Sequence, residues 1–226
     1  MLGTLANVGG IIAGSLIGGT VKKALPEKIQ DCLFVAMGLA ALFIGINSVV
    51  QNMPKTHYPV LFIVSLALGS AFGTWLDIDD NFHRLALRSG HGHLGKGLST
   101  AILIFCIGTL SILGPVESAL NGNNTFLYTN ATLDFITSIV LSSAYGYGIM
   151  LAAVVLFLWQ GSLYVGALSL SGFLQGDLLN ELSLVGGILI AASGLSILQI
   201  KDCKTLNLLP SLLVPVFFFL ITKYFF

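Results

Sequence analysis

A chain of 226 residues that is 55% hydrophobic and only 9% charged cannot cover a soluble domain with charge. Its ten Lys+Arg cancel ten Asp+Glu, and the mean hydropathy is +0.93. Disorder, which needs low hydrophobicity and high net charge, is excluded, as is nucleic-acid binding, which needs a basic excess; what remains is an all-α, polytopic transmembrane bundle in a lipid bilayer.

The charges lie at segment ends and in loops, and the apolar runs between them read as spans, about 20 residues being enough to cross a bilayer core. Span 1 covers residues 2–21. Lys22 and Lys23 follow it rather than precede it, so it reads as a retained span and not as a secretory signal. Spans 2 and 3 cover 30–50 and 58–76. Asp77, Asp79 and Asp80 close span 3, and Phe82, Leu85 and Leu87 alternate with His83, Arg84 and Arg88 as in an amphipathic interfacial helix. A glycine-rich tether at 89–95 carries His91 and His93, too unbraced a pair to hold a metal. Span 4 is 97–113, and a loop without Lys or Arg covers 114–132.

The next apolar stretch, 133–171, is too long for one crossing and breaks at Ser142, Ser143, Tyr145, Gly146 and Tyr147. It divides into a short span 5 at 133–144 and span 6 at 148–171. Twelve helical residues reach only about 18 Å, so span 5 reads as a half-helix or a re-entrant hairpin with span 6. Spans 7 and 8 cover 182–200 and 207–224. The expected architecture is one transmembrane domain over 1–226 with about eight spans, seven plus a short or re-entrant one.

Eight crossings put Lys22, Lys23, Lys28, Arg84, Arg88, Lys96, Lys201 and Lys204 on one side, leaving Lys55 and Lys223 opposite. The positive-inside rule then places both termini outside. Gly9 and Gly14 recur as Gly161 and Gly166, 152 residues on, and Gly38 and Gly45 as Gly187 and Gly194, 149 residues on. Segments 1–76 and 148–224 therefore read as repeat halves of opposite orientation around central spans at 97–144, a device of secondary transporters.

No ionisable group is expected centrally in a span; Asp134 and Glu117 read as solvated helix ends near the outer interface. The expected substrate-binding residues are neutral: Asn7 in span 1, Asn47 and Ser48 in span 2, Ser142, Ser143, Tyr145 and Tyr147 at the break, and Trp159 and Gln160 in span 6. An amide in lipid must find partners, in neighbouring helices or in a solute. Gly10, Gly14 and Gly18, like Ser65, Gly69 and Gly73, form stripes at four-residue spacing, suited to helix packing or self-association. Cys32, Cys106 and Cys203 read as small buried hydrophobes. No motif for a P-loop, a Gly-x-Ser-x-Gly elbow or a His-Glu-x-x-His site occurs, so neither enzyme activity, cofactor nor metal is expected.

The opening Met1-Leu2-Gly3-Thr4-Leu5-Ala6-Asn7, Gly9-Gly10, Lys22-Lys23, Leu25-Pro26-Glu27, Phe105-Cys106-Ile107-Gly108, Ile112-Leu113-Gly114, Gln160-Gly161 and Asn207-Leu208-Leu209-Pro210 together resemble domain-of-unknown-function family 554, the YqgA-like bacterial membrane proteins. The resemblance covers essentially the whole chain. It departs at Thr109-Leu110, where Gly-Pro-Met-like residues are expected after Gly108, implying a straighter helix there. It implies a multi-pass protein of the bacterial cytoplasmic (inner) membrane and no particular substrate. The expected function is a small secondary transporter or channel for a small neutral or anionic solute or ion, self-associated as a homo-oligomer. The alternative is a non-transporting scaffold or sensor acting through glycine-faced packing and the cytoplasmic loop 77–96.

Overall fold

The computed structural model describes residues 1–20, 26–81, 84, 97–98, 101–102, 104–106, 109–169 and 177–225. Among these residues the regular elements are helices and no strand occurs. They are α1 (Leu2–Thr20), α2 (Glu27–Asn52), α3 (Leu61–Trp75), α4 (Thr109–Asn121), α5 (Thr125–Tyr145), α6 (Ala152–Ser169), α7 (Asp177–Ile197), α8 (Thr205–Leu208) and α9 (Leu213–Phe225). Short 3-10 turns occupy Met53–Lys55, Tyr147–Leu151 and Leu209–Leu212, the first and last built around Pro54 and Pro210. Among the described residues, five stretches are long and apolar enough to cross a membrane: Leu2–Thr20, Ile104–Asn121, Tyr147–Ser169, Asp177–Ile197 and Thr205–Thr222. Leu61–Trp75 is apolar but shorter.

The helices are patterned inside out. In α1 the buried residues are Gly3, Thr4, Asn7, Ile11, Gly14, Ser15 and Gly18, at three- and four-residue steps. Leu2, Leu5, Ile12, Leu16 and Ile17 face outward. α3 buries Leu61, Ser65, Gly69 and Gly73 while Trp75 is 77% exposed. In water this would waste the hydrophobic effect. In lipid it is the economical arrangement, because small residues let backbones approach and large apolar ones meet acyl chains.

The helices form two units. Unit 1 comprises Met1–Met37 and Phe82–Leu170, and unit 2 comprises Gly38–Asn81 and Ser171–Phe226. In unit 1, α1 and α5 pack in parallel. Gly10 lies against the Ala131 carbonyl, Gly14 against Phe135 and Ser138, and Gly18 against Ile139, so one register step serves all three contacts. Each glycine directs a Cα–H where any larger residue would put its Cβ, close to a carbonyl oxygen. Ile11, Phe105, Ile149, Ala152, Ala153 and Leu156 fill the apolar core of this unit. In unit 2, Gly45 of α2 meets Gly187 of α7, and Gly38 meets Leu198 while Gly194 meets Gly38 and Leu42. Residue numbers rise along one helix as they fall along the other, so this pair is antiparallel. Gly69 and Gly73 close against Ser211 and Asn207.

Several expectations change. The short span 5 and the loop 114–132 are replaced by α4, a turn, and α5, which has 21 residues. At 1.5 Å per residue α5 is about 32 Å long, enough for a hydrocarbon core of about 30 Å. A tight turn makes this possible. Gly122 takes φ 68, Asn123 accepts hydrogen bonds from the Thr125 amide and hydroxyl at 3.0 and 2.8 Å, and Ser118 donates to Asn124 at 2.8 Å. At its other end α5 stops at Gly146, whose φ of 90 an L side chain rarely adopts. The stripes Gly10, Gly14, Gly18 and Gly69, Gly73 pack against segments of the same chain. The glycines that meet nothing within 4 Å along α1 and α6 are instead Gly9, Gly161 and Gly166. α1 and α6, which open the expected repeat halves 1–76 and 148–224, both belong to unit 1. Of the cysteines only Cys106 is buried; Cys32 is exposed and Cys203 intermediate. The amphipathic segment at 82–88, apart from the exposed Arg84, and the tether with His91 and His93 lie outside the described residues.

Candidate functional site

The polar residues that unit 1 turns inward gather around α5. Its buried face runs through Phe126, Leu127, Asn130, Asp134, Thr137, Ser138 and Ser142. Asp134, tenth of the 21 residues of the helix, is 3% exposed. Its Oδ2 accepts a hydrogen bond from Asn130 Nδ2 at 2.8 Å, across one helical turn. Asn7 of α1 faces the same carboxyl, yet neither its amide nitrogen nor its amide oxygen completes a hydrogen bond to a described residue. Asn7 is fully buried, and so is Thr4 one turn below it, whose hydroxyl also has no partner among the described residues. The Ser142 hydroxyl donates to the Ser15 carbonyl at 2.7 Å, tying the far end of α5 to α1. In α6, Gln160 is fully buried and donates through Nε2 to Ser111 Oγ at 3.0 Å, while its Oε1 has no partner among the described residues.

The expected binding residues therefore divide. Asn7, Ser142 and Gln160 are inside unit 1. Ser143 is bonded to the Val140 carbonyl at 2.8 Å, and Tyr145 packs against the apolar core and Gly97. Tyr147 covers Gly19 with its ring yet is exposed. Trp159 is on the outer face of α6. Ser48 belongs to unit 2, where it is buried and donates to the Ser183 carbonyl at 3.0 Å. Asn47 is exposed and accepts from Gln51 at 3.3 Å.

Sequence reasoning missed Asp134 because Thr125, Thr129, Asn130 and Thr132 read as a polar loop. The usable signal was periodic: Phe126, Asn130, Asp134, Ser138 and Ser142 recur every fourth residue, on one helical stripe. It also missed Glu181, placed before span 7. That helix starts five residues before the expected 182, at Asp177, where an acidic first turn suits the helix dipole. Glu181 is fully buried; Thr56 donates to its Oε1 and its Oε2 has no partner among the described residues. His57 Nδ1 stands 3.0 Å from Asp177 Oδ2 beside it. Thr56→Ala removes a donor from this carboxyl and is expected to cost about 1–3 kcal/mol, read as a lower melting temperature in detergent. On the other side of unit 2, Lys204 donates to both oxygens of Asp80 at 3.2 Å, which holds its ammonium above the usual lysine range. Among the described residues no group of three His, Cys, Asp or Glu is placed to hold a metal.

Helices of membrane length that face outward with Leu, Phe and Trp, and inward with glycines, hydroxyls and amides, define a polytopic α-helical membrane protein. The chain belongs to the family described as "Protein of unknown function (DUF554)", which it matches over residues 2–220. It is 55% identical over 215 residues to "Uncharacterized membrane protein YdfK" of Bacillus subtilis (strain 168), covering 95% of this chain and 94% of that one. It is 25% identical over 229 residues to "Uncharacterized protein YqgA" of Escherichia coli (strain K12), covering 96% and 95%. No solved structure matches it.

Proposed function

We propose that this protein is a small, non-enzymatic transporter or channel of the bacterial cytoplasmic membrane, passing a small polar solute or ion along the interior of unit 1. The observation that carries this reading is the incomplete bonding of that interior. Thr4, Asn7, Ser15, Ser138 and Gln160 all hold buried polar atoms without a partner among the described residues. Amides that served only to fasten helices would be satisfied by those helices, since an orphaned polar group buried in protein costs about 1–3 kcal/mol. Groups left with spare donors and acceptors are suited to bind something that comes and goes. The antiparallel glycine contacts of α2 with α7 support the inverted repeat that would accompany such a mechanism: Gly45 against Gly187 and Gly38 against Gly194 exchange places under a two-fold rotation.

Purified protein in proteoliposomes, screened against a panel of small solutes and ions, tests the reading. Asn7→Ala and Gln160→Ala are expected to reduce flux by about tenfold, the worth of one 1.4 kcal/mol interaction. Asn47→Ala and Trp159→Ala, on exposed side chains, are expected to leave it unchanged. Flux unaffected by the first pair would place the route elsewhere.

A further inference from the structure

Among the described residues of unit 1, no cation balances Asp134. The elements packed against α5 are α1, α4 and the 3-10 turn Tyr147–Leu151. α1 holds no ionisable side chain. α4 holds Glu117, which accepts from Asn121 at 2.8 Å, and the residues preceding α4 bring Cys106 toward the carboxyl. The turn holds Tyr147, and α5 itself holds Tyr128 and Tyr145 besides Asp134. None of these is basic. The described basic side chains of unit 1, Lys28 and Arg84, are exposed. An intramembrane carboxylate is retained at a cost, and it normally pairs with an opposite charge. Here the opposite charge must come from outside this set of residues.

The ligands for one are assembled. A carboxyl group and the oxygens of two amides make a small set of hard oxygen donors. Asn130 already orients Oδ2. Asn7 is fully buried, faces the carboxyl and has its oxygen without a partner among the described residues; Thr4 Oγ1, one turn away on α1, likewise has none among them. We propose that Asp134, with Asn7 and Asn130, is an exchangeable binding site for a monovalent cation, a proton or sodium. Its use as the coupling ion rests on the transport reading above; the binding itself does not.

Infrared difference spectroscopy on the full-length protein in liposomes tests the site without knowledge of the solute. One arm raises the pH in sodium-free choline buffer. The other adds sodium at constant pH, with added choline matching the ionic strength. The expected result is a carboxyl band that responds in at least one arm, is lost in Asp134→Asn and is retained in Glu181→Gln. A response to pH alone identifies the proton as the cation. Displacement by sodium identifies a sodium site, and Asn7→Ala should then raise the sodium concentration needed by about tenfold. A band insensitive to both arms, or a response that survives in Asp134→Asn, overturns the proposal. An intact infrared response without solute flux leaves the cation site standing and removes the transport reading.

Discussion

Gly14→Ala and Gly18→Ala are each expected to destabilise the protein by about 3 kcal/mol, the upper end of the usual cost of overpacking. A methyl group at either position would collide with a backbone carbonyl of α5, that of Phe135 or Ile139. A flexible side chain could swing aside, but backbone cannot, so α1 and α5 would have to separate. Separation would break a pairing that runs nearly the length of α1 and would release the Ser142–Ser15 hydrogen bond. Gly9→Ala is the matched control. Nothing lies within 4 Å of its new Cβ, and alanine favours a helix over glycine by about 1 kcal/mol, so that variant should be as stable as the parent or slightly more. Thermal denaturation of the three variants in one detergent checks the contrast. Equal losses at Gly9 and Gly14 would mean that the parallel α1–α5 contact does not hold in the membrane protein.

Asp134→Leu is expected to separate stability from function. Removing a buried ionisable group recovers the cost of its desolvation, whereas leucine, larger than aspartate, adds an overpacking cost of about 1–3 kcal/mol. Leucine would leave Asn130 without its acceptor, which subtracts about 1–3 kcal/mol. The net change should be small, with a melting temperature near that of the parent. Flux in proteoliposomes should nevertheless fall by at least about tenfold, because the only charge near the middle of α5 has gone. A large loss of stability with flux retained would assign Asp134 to the framework of α5. Functional carboxylates behave in the opposite way, since proteins keep them at a cost in stability.

The membrane class was legible at once, and most of the helices with it. Apolar runs bounded by charge mark α1, α3, α6 and α7 directly, since length and hydropathy are one-dimensional properties. The inward stripes of α1 and α3 were legible too, because four-residue spacing places Gly14 and Gly18, or Gly69 and Gly73, on one face. Their partners were not. Gly14 meets Phe135 and Gly69 meets Ser211, over sequence distances that no local pattern spans. The candidate site was legible in part: Asn7 and Gln160 stand out as amides in apolar runs, but nothing local separates them from Asn47, which the fold leaves exposed.

Asp134 shows where one-dimensional reading ends. Hydropathy counts each residue against a water-facing or lipid-facing surface, whereas the face of α5 that carries Asn130 and Asp134 meets neither. It lies against the glycine face of α1, so its polar stripe is enclosed by protein and its sequence looks like a loop. Composition and charge placement alone determined that this is a multi-helix membrane protein with a glycine-rich interior. Tertiary structure alone decided that residues 125–145 form a full-length helix and that a carboxyl stands near its middle. The reason is that burial by a neighbouring helix, rather than by lipid, is a property of pairs of segments and is written in neither one.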